Sequence, residues 1–364
     1  MRIRCTTCGR IYSLDTRRWR CDCGGPFELV GTPPFDEDAI EAQNPTLWRY
    51  RAMLPVEHEE DIVSLGEGFT PLVQAKVYGL MVHCKLEFLA PTGSFKDRGA
   101  TVLVSKLKEM GIERVVEDSS GNAGAALAAY CAQAGIRAEI YVPAHASPAK
   151  LAQIAVYGAE LVTVDGPREN AARAVQEAAA SGIYYASHYY NPFVIAGLKT
   201  IAYELWEQLG GQAPHNLILP AGHGTLLLGA YRGFKDLQAA GLIEKPPRLF
   251  AIQAQTCAPL YKAYREGLSE AKPVAEGETI AEGIRIARPA RGRQILAAIR
   301  ETGGAVLAVS EEEIEQAQKE LARRGLYVEP TSAVAAAALR RLSEVIAPHQ
   351  ITVVPLTGSG LKSK

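Results

Sequence analysis

The sequence has no long apolar run and no excess of charge of one sign. Its 364 residues carry 39 Lys and Arg against 40 Asp and Glu, which gives a formal net charge of −1. A chain without a field of one sign is not expected to bind nucleic acid or membranes in general. No apolar stretch is long enough to span a bilayer, and the basic start MRIRCTTCGR is not followed by the apolar core of a signal peptide. We therefore expect a cytoplasmic location.

Cysteine is scarce beyond the first 23 residues. Of the seven cysteines, Cys84, Cys131 and Cys257 stand alone among apolar or small residues, and we expect them to be buried thiols. An odd number of cysteines without a signal peptide argues against a disulfide framework.

The other four cysteines lie close together in CTTCGRIYSLDTRRWRCDCGG, where Cys5 and Cys8 form a C-x2-C pair and Cys21 and Cys23 form a C-x-C pair. Four thiolates suit tetrahedral Zn²⁺, which would supply the folding energy that so small a segment lacks. The segment RIYSLDTRRWR between the pairs is expected to be a short hairpin. Residues 1–31 are thus predicted to be a zinc ribbon with a structural metal ion; incidental disulfides or free thiols are the alternative.

The rest of the chain has the pattern of an α/β protein. It is 48% hydrophobic and 22% charged overall, which fits a globular protein with a large core. Residues 32–46 are rich in proline and acidic side chains and are predicted to be a linker. Strands and helices alternate from there on, which predicts parallel sheets covered on both faces. The strands are RVVED, AEIYVP, AELVTVDG, NLILP and RLFAIQAQ, and the helices include ENAARAVQEAAASG and VIAGLKTIAYELWEQLGG.

Two loops follow predicted strands, where parallel sheets usually bind ligands. The loop Ser119–Asn122 (SSGN) brings hydroxyls and amides to a helix N-terminus, which favours an anion such as a carboxylate. Helix capping is the alternative explanation. In AGHGTLLLG, Gly222 and Gly224 permit close backbone approach and Thr225 adds a hydroxyl, so this loop could cradle a phosphate.

The heptapeptide GSFKDRG places Lys96 directly after Phe95 in a segment framed by glycine. A lysine held beside apolar groups is disfavoured as an ammonium, and its free amine can form a Schiff base. The alternative is the solvated first turn of a helix.

Together these segments resemble the fold-type II pyridoxal-phosphate enzymes, the tryptophan-synthase-β-like superfamily. PTGSFKDRGA, SSGNAG, LPAGHGTLLLG, YVEPTSA and PLTGSGLK occur in this order, and the resemblance covers about residues 45–362. SLGEGFTPL, PTGSFKDRG and LTGSGLK are similar to the threonine synthase family, in which an N-terminal zinc ribbon is also found. The resemblance implies two doubly wound parallel-sheet subdomains within a catalytic region at 47–364, with a smaller inserted subdomain at about 97–205.

The resemblance also implies roles for individual residues. Lys96 would hold pyridoxal 5′-phosphate as an internal aldimine and then move protons, and Thr357 would hydrogen-bond the pyridine nitrogen. Glu329 would be a structural acceptor. The further cofactor contacts would be Phe95, Asn122, Gly222, His223, Gly224 and Thr225. Ser119 and Ser120 would lie near the substrate carboxylate.

The sequence departs from the threonine synthase pattern at three positions that bear on phosphate binding. Ala123, Val194 and His223 stand where that pattern has threonine, arginine and asparagine. A dianionic phosphate bound without a guanidinium needs other donors. Ser187 and His188 in SHYYNP are candidate replacements.

These features leave three functions open. The resemblance implies a lyase that converts O-phosphohomoserine to threonine and phosphate. A serine/threonine dehydratase, or a β-replacement enzyme similar to cysteine or cysteate synthase, is the alternative within the same fold. A non-catalytic cofactor-binding or zinc-ribbon interaction protein is the third. We expect a small amino-acid substrate, no nucleic-acid or membrane partner and, by analogy alone, a homodimer.

Overall fold

The computed structural model describes residues 1–144, 146, 148–166 and 168–362. The strands are β1 (Arg2–Cys5), β2 (Ile11–Tyr12), β3 (Phe27–Val30), β4 (Leu72–Val77), β5 (Leu80–Lys85), β6 (Arg114–Glu117), β7 (Arg137–Pro143), β8 (Glu160–Val164), β9 (Tyr184–Tyr185), β10 (Asn216–Pro220), β11 (Arg248–Ala254), β12 (Ala305–Val309) and β13 (Thr352–Pro355). The helices are α1 (Lys96–Glu109), α2 (Asn122–Ala134), α3 (Pro148–Val156), α4 (Arg168–Ala180), α5 (Pro192–Leu198), α6 (Thr200–Gln208), α7 (Thr225–Ala239), α8 (Pro259–Arg265), α9 (Gly292–Glu301), α10 (Glu311–Ala322), α11 (Pro330–Ala337) and α12 (Leu339–Leu342).

The N-terminal residues form a small antiparallel sheet in the order β2-β1-β3. The predicted hairpin within RIYSLDTRRWR is wrong: Ile11 and Tyr12 pair with β1, and the residues that follow them form a loop. The chain therefore reverses direction between β1 and β2, at the first cysteine pair. Gly9 lies in this turn with a φ of +75°, which glycine adopts at little cost.

The chain divides into two compact units, and the first comprises Met1–Gly68 and Ala90–Leu198. Its larger sheet has the order β8-β7-β6-β9 and is parallel throughout. Helices α1 and α5 of this unit cross so closely that glycine is required at the crossing. A Cβ atom on Gly197 would lie 1.9 Å from the carbonyl oxygen of Arg98, and one on Gly99 would lie 2.7 Å from Cγ1 of Val194.

The second unit comprises Phe69–Leu89 and Lys199–Lys364. Its sheet has the order β12-β11-β10-β13-β5-β4, and every pair is parallel except the edge pair β4–β5. Helix α11 packs on β10, β11 and β13. The run Ala333–Ala338 is buried almost completely, because alanine and valine side chains let a helix approach a sheet closely.

A buried ion pair joins two sequence segments of the second unit. The ammonium of Lys85, at the end of β5, lies 2.7 Å from the carboxylate of Glu204 in α6, and both side chains are fully buried. The ammonium also donates to the Thr70 carbonyl and to Gln208 Oε1 at 2.7 and 2.9 Å, and Glu204 accepts from the Phe69 amide at 2.7 Å. Buried charges persist when they are paired and hydrogen-bonded in this way.

The fold class predicted from the sequence is confirmed: an α/β protein with two wound sheets preceded by a small N-terminal sheet. One predicted helix differs, since VIAGLKTIAYELWEQLGG is two helices, α5 and α6, separated at Lys199. The carbonyl of Lys199 faces Gly233 of α7, where a Cβ atom would lie only 2.3 Å away. No helix in the described ranges has the length and apolar character needed to cross a membrane.

Candidate active site

Lys96 is the first residue of α1 and follows a tight turn. Gly93 has a φ of +80°, and the carboxylate of Asp97 accepts hydrogen bonds from the amide of Thr92, at 2.7 Å, and from its hydroxyl. Asp97 and Arg98 are buried, so this first turn is not the solvated one that was the alternative to a reactive lysine. Lys96 itself is half-buried, with its Nζ 4.7 Å from the centre of the Phe95 ring.

The asparagine loop, residues 119–122, connects β6 to α2. Gly121 is the N-cap residue and offers no side chain, and Ser119 Oγ accepts a hydrogen bond from the Gly121 amide at 3.4 Å. Ser119 therefore bonds to the loop backbone just before the helix. A Cβ atom on Gly124 would lie 1.9 Å from the carbonyl oxygen of Ser119, so glycine is required for the loop to fold against α2. The amides at this N-terminus are suited to an anion.

A second segment, residues 185–190, begins at the last residue of β9, which is the parallel neighbour of β6. Both segments therefore leave the same edge of the sheet. His188 Nδ1 lies 2.5 Å from Oε1 of the buried Glu117, the last residue of β6. Ser187 is fully buried, and its Oγ accepts from the Tyr190 amide at 3.3 Å within the same turn. The His188 side chain is 14% exposed, so it is the more accessible of the two predicted substrate contacts in this segment.

The glycine loop, residues 221–225, connects β10 to α7 in the second unit. A Cβ atom on Gly222 would lie 2.9 Å from the Cα of Ile284, and Gly224 has a φ of +67° with Ile295 2.3 Å from its missing Cβ. Thr225 begins α7, and no side chain caps that helix at Gly224. The backbone is thus bare at a helix N-terminus, which is the arrangement that binds phosphate groups.

Thr357 follows β13, which pairs with β10, so it lies at the same edge of the sheet as the glycine loop. Its amide donates to Ser332 Oγ at 2.8 Å. Its own Oγ1 is buried and has no hydrogen-bond partner in the part of the chain that the structure describes. Such an atom costs free energy unless a ligand satisfies it. The Glu329 carboxylate lies beside the next residue, with Oε1 2.3 Å from where a Cβ atom on Gly358 would be.

The glycine loop and the Thr357 hydroxyl fit pyridoxal phosphate. The bare helix N-terminus suits its phosphate, and the unsatisfied hydroxyl can donate to its pyridine nitrogen.

The four N-terminal cysteines form a cluster whose Sγ atoms all lie within 4.8 Å of one another. The closest pairs, Cys5 with Cys23 and Cys8 with Cys21, are both 3.5 Å apart. Zn–S bonds of about 2.3 Å in a tetrahedron place sulfur atoms about 3.8 Å apart. Burial disfavours the Cys21 thiolate, but the Tyr12 hydroxyl 3.1 Å away and neighbouring groups outweigh it and lower the pKa of Cys21 to about 6. The cluster can therefore hold a metal ion.

Sequence reasoning missed several polar and aromatic groups around His188. Asp118 accepts a hydrogen bond of 2.6 Å from the Tyr185 hydroxyl, and burial, followed by the nearby carboxylates, raises the pKa of Tyr185 well above its usual value. Trp19 of the N-terminal segment packs on this tyrosine. The consecutive acidic residues Glu117 and Asp118 at a strand end were a signal for this network. Lys199 is buried and its ammonium is paired with the Asp236 carboxylate at 2.9 Å.

Comparison with known proteins agrees with this geometry. The family of pyridoxal-phosphate dependent enzymes matches residues 63–358. Threonine synthase from Methanocaldococcus jannaschii is 38% identical over 99% of this chain and 92% of its own length, and threonine synthase from Methanosarcina acetivorans is 36% identical with the same coverage. Among solved structures, a threonine deaminase from T.th. superposes with a TM-score of 0.68 at 27% identity, covering 80% of this chain and 92% of its own.

Two wound sheets, a lysine at a helix start, a phosphate-type glycine loop and this family match define a pyridoxal-phosphate dependent enzyme, and the chain belongs to that family. Within it, the near full-length similarity to curated threonine synthases places the chain in the threonine synthase family.

Proposed function

We propose that this protein converts O-phosphohomoserine and water to threonine and inorganic phosphate. The observation that carries the proposal is the identity of 38% and 36% with two threonine synthases, extending over 99% of the chain and so including the cysteine-rich N-terminus. The remaining arguments come from the chemistry of the residues described above.

The cofactor is proposed to be held by residues that the sequence named. They are Lys96, Phe95, Asn122, Gly222, His223, Gly224, Thr225 and Thr357. The bound cofactor supplies an electron-withdrawing ring that makes the α-carbon proton of an amino acid acidic. Thr357 offers a neutral hydroxyl, not a carboxylate, to the ring nitrogen.

Lys96 is proposed to move protons through its Nζ. In the overall reaction the bond between Cγ and the phosphate oxygen breaks and Cγ gains a proton. Cβ loses one proton and gains the hydroxyl group of water, whose remaining proton leaves with the phosphate. A neutral amine can accept and return protons in such a sequence. The Lys96 Nζ lies 4.7 Å from the centre of the Phe95 ring, at the start of α1.

The substrate is proposed to contact Ser119, Ser120, Ser187 and His188. The N-terminus of α2, where the N-cap residue is glycine, suits the α-carboxylate. Glu117 holds Nδ1 of His188, which fixes the orientation of the imidazole ring and directs Nε2 to other partners. In the protonated imidazolium, Nε2 would then donate a hydrogen bond to the leaving phosphate, in place of the arginine that the family pattern has at position 194.

A serine or threonine dehydratase is the second candidate. Val194 favours it, because that side chain is 5% exposed and packs at the crossing of α1 and α5. A dehydratase has no phosphate to bind and needs no arginine there. A β-replacement enzyme is the variant of this alternative in which a second substrate adds where the leaving group departs.

The test is a substrate comparison with purified protein loaded with pyridoxal phosphate. Release of phosphate together with threonine from O-phosphohomoserine supports the proposal. Keto-acid formation from serine or threonine, without phosphate release from O-phosphohomoserine, would replace it with the dehydratase. Lys96→Ala should lose the visible absorbance of the bound cofactor and all turnover, whereas the exposed Lys76→Ala should keep both. Retention of both by Lys96→Ala would remove Lys96 from its role.

Three further features are proposed with this function. The metal ion of the ribbon at residues 1–31 is zinc, bound by Cys5, Cys8, Cys21 and Cys23, since four thiolates select it. The active form is a homodimer, which sedimentation of the loaded protein would establish. The enzyme acts in the cytoplasm on a free amino acid, with no nucleic-acid or membrane partner.

A further inference from the structure

The loop that leads to the second cysteine pair places an aromatic side chain against a hydrophobic cluster of the first unit. Trp19, two residues before Cys21, is half-buried and packs against a cluster formed by Val116, Val175 and Tyr185. Its ring centre lies 5.1 Å from that of Tyr185, with the two rings at 62°.

Trp19 also contacts the end of the segment 185–190. Its ring centre is 4.9 Å from that of Tyr190 at 77°, an edge-on arrangement. Tyr190 in turn lies 4.7 Å from Tyr189, and Tyr189 lies 5.0 Å from the His188 imidazole. An unbroken series of ring contacts therefore runs from the N-terminal loop to His188. Edge-on and tilted ring pairs at these distances stabilise by more than the burial of their area.

Trp19 is also connected to the asparagine loop, through its ring contact with Tyr185 and one hydrogen bond that Tyr185 makes. The Tyr185 ring that it contacts donates from its hydroxyl to Asp118 Oδ1 at 2.6 Å, and Asp118 directly precedes Ser119. The guanidinium of Arg20 lies 4.1 Å from the centre of the Trp19 ring. The indole therefore contacts this cation as well as the two tyrosine rings.

We propose that Trp19 is a positioning residue: the N-terminal ribbon sets substrate affinity by fixing the segment 185–190 and, through Tyr185 and Asp118, the asparagine loop. The inference rests on the proposed function in one respect, namely that these two segments contact the amino-acid substrate. Under this proposal the ribbon contributes to substrate recognition. A closed four-cysteine metal site alone would contribute only folding energy.

The experiment uses full-length, cofactor-loaded protein and three variants: Trp19→Ala, Trp19→Phe and Arg17→Ala. Arg17 is exposed in the same loop and serves as the matched control. Trp19→Ala should raise the KM for O-phosphohomoserine about tenfold, the size of effect expected from losing two ring contacts, with kcat changed less than about twofold. Trp19→Phe should recover most of the affinity because a ring remains, and Arg17→Ala should match the wild type.

Amide hydrogen exchange without substrate provides a readout that does not depend on activity. In Trp19→Ala, exchange should become faster at residues 185–190 and 117–122, and it should stay unchanged in both segments of Arg17→Ala. Unchanged exchange in Trp19→Ala would overturn the proposal. Faster exchange with an unchanged KM would also overturn it, by making Trp19 a purely structural residue.

Failure of the proposed function is distinguishable from failure of this inference. If the wild type releases no phosphate from O-phosphohomoserine, the proposed function fails. The positioning role is then judged by exchange and by KM and kcat for serine or threonine, whichever the wild type turns over. Should neither be turned over, exchange alone decides. If wild type and Trp19→Ala have the same KM in any of these assays, the positioning role of Trp19 is contradicted.

Discussion

Thr357 illustrates how a single hydroxyl group can be left unsatisfied by folding. Its backbone amide is used by Ser332, but its Oγ1 is buried and unpaired within the residues that the structure describes. A buried hydroxyl without a partner destabilises the protein, so its place at a strand end beside the glycine loop is explained by a ligand.

Thr357→Val should therefore separate cofactor binding from stability. The cofactor-free variant is expected to be as stable as the wild type or more stable, by up to about 1 kcal/mol, because an unsatisfied hydroxyl is removed. Its affinity for pyridoxal phosphate should fall about tenfold, as measured by titration of the visible absorbance.

Thr352→Val provides the contrast. Thr352 Oγ1 accepts from Asn216 at 3.0 Å, so that variant should lose about 1 kcal/mol of stability and keep its cofactor affinity. If Thr357→Val were destabilised and bound cofactor normally, the hydroxyl would have an internal partner and no role at the ring nitrogen.

At the scale of elements, the crossing of α1 and α5 decides what position 194 can do. Gly99 and Gly197 bring the two helices into backbone contact, and Val194 fills the space that remains. The sequence pattern suggests that an arginine here would help to bind phosphate, but Val194 is buried and its Cγ1 lies 2.7 Å from where a Cβ atom on Gly99 would be, so a longer side chain must displace its neighbours.

Val194→Arg should accordingly destabilise the protein by about 3 kcal/mol or more, since it places an unpaired charge in a packed interface. The matched change Val156→Arg, at a side chain that is 77% exposed in α3, should alter stability by less than about 0.5 kcal/mol. Urea denaturation of both variants gives the comparison. A Val194→Arg protein as stable as the wild type, with a lower KM for the phosphorylated substrate, would show that the side chain can leave the interface.

The buried pair between β5 and α6 makes another prediction at this scale. Lys85→Met leaves the Glu204 carboxylate buried without its cation and should cost about 3–5 kcal/mol. The double variant Lys85→Met/Glu204→Leu should be more stable than the single one, because no uncompensated charge remains. Lys76→Met, on the exposed face of β4, should be neutral. Equal midpoints in urea for Lys85→Met and Lys76→Met would contradict this account.

At the scale of the whole molecule, we propose that the N-terminal sheet depends on a metal ion held by its four cysteines. Its three short strands bury little apolar surface, so metal binding would supply the folding free energy of this segment. Metal analysis of the purified protein is expected to find one zinc ion per chain.

Cys21→Ser should lose that ion and unfold the ribbon, which changes the fluorescence of Trp19. Cys257→Ser, at a buried thiol outside the cluster, should keep both the zinc and the fluorescence. A Cys21→Ser protein with unchanged tryptophan emission would mean that the ribbon folds without its metal.

The sequence by itself determined the local chemistry: the lysine turn, the asparagine and glycine loops, and the cysteine pairs. Each of these is a short stretch whose spacing and order between strand and helix fix its own geometry. Tertiary structure decided the partners of those groups. Glu117 and His188 are 71 residues apart, and Lys85 and Glu204 are 119 apart. Trp19 likewise meets Tyr185 and Tyr190 far along the chain. Such contacts depend on which strands become neighbours and on how helices pack, and residue spacing along one chain carries no record of that.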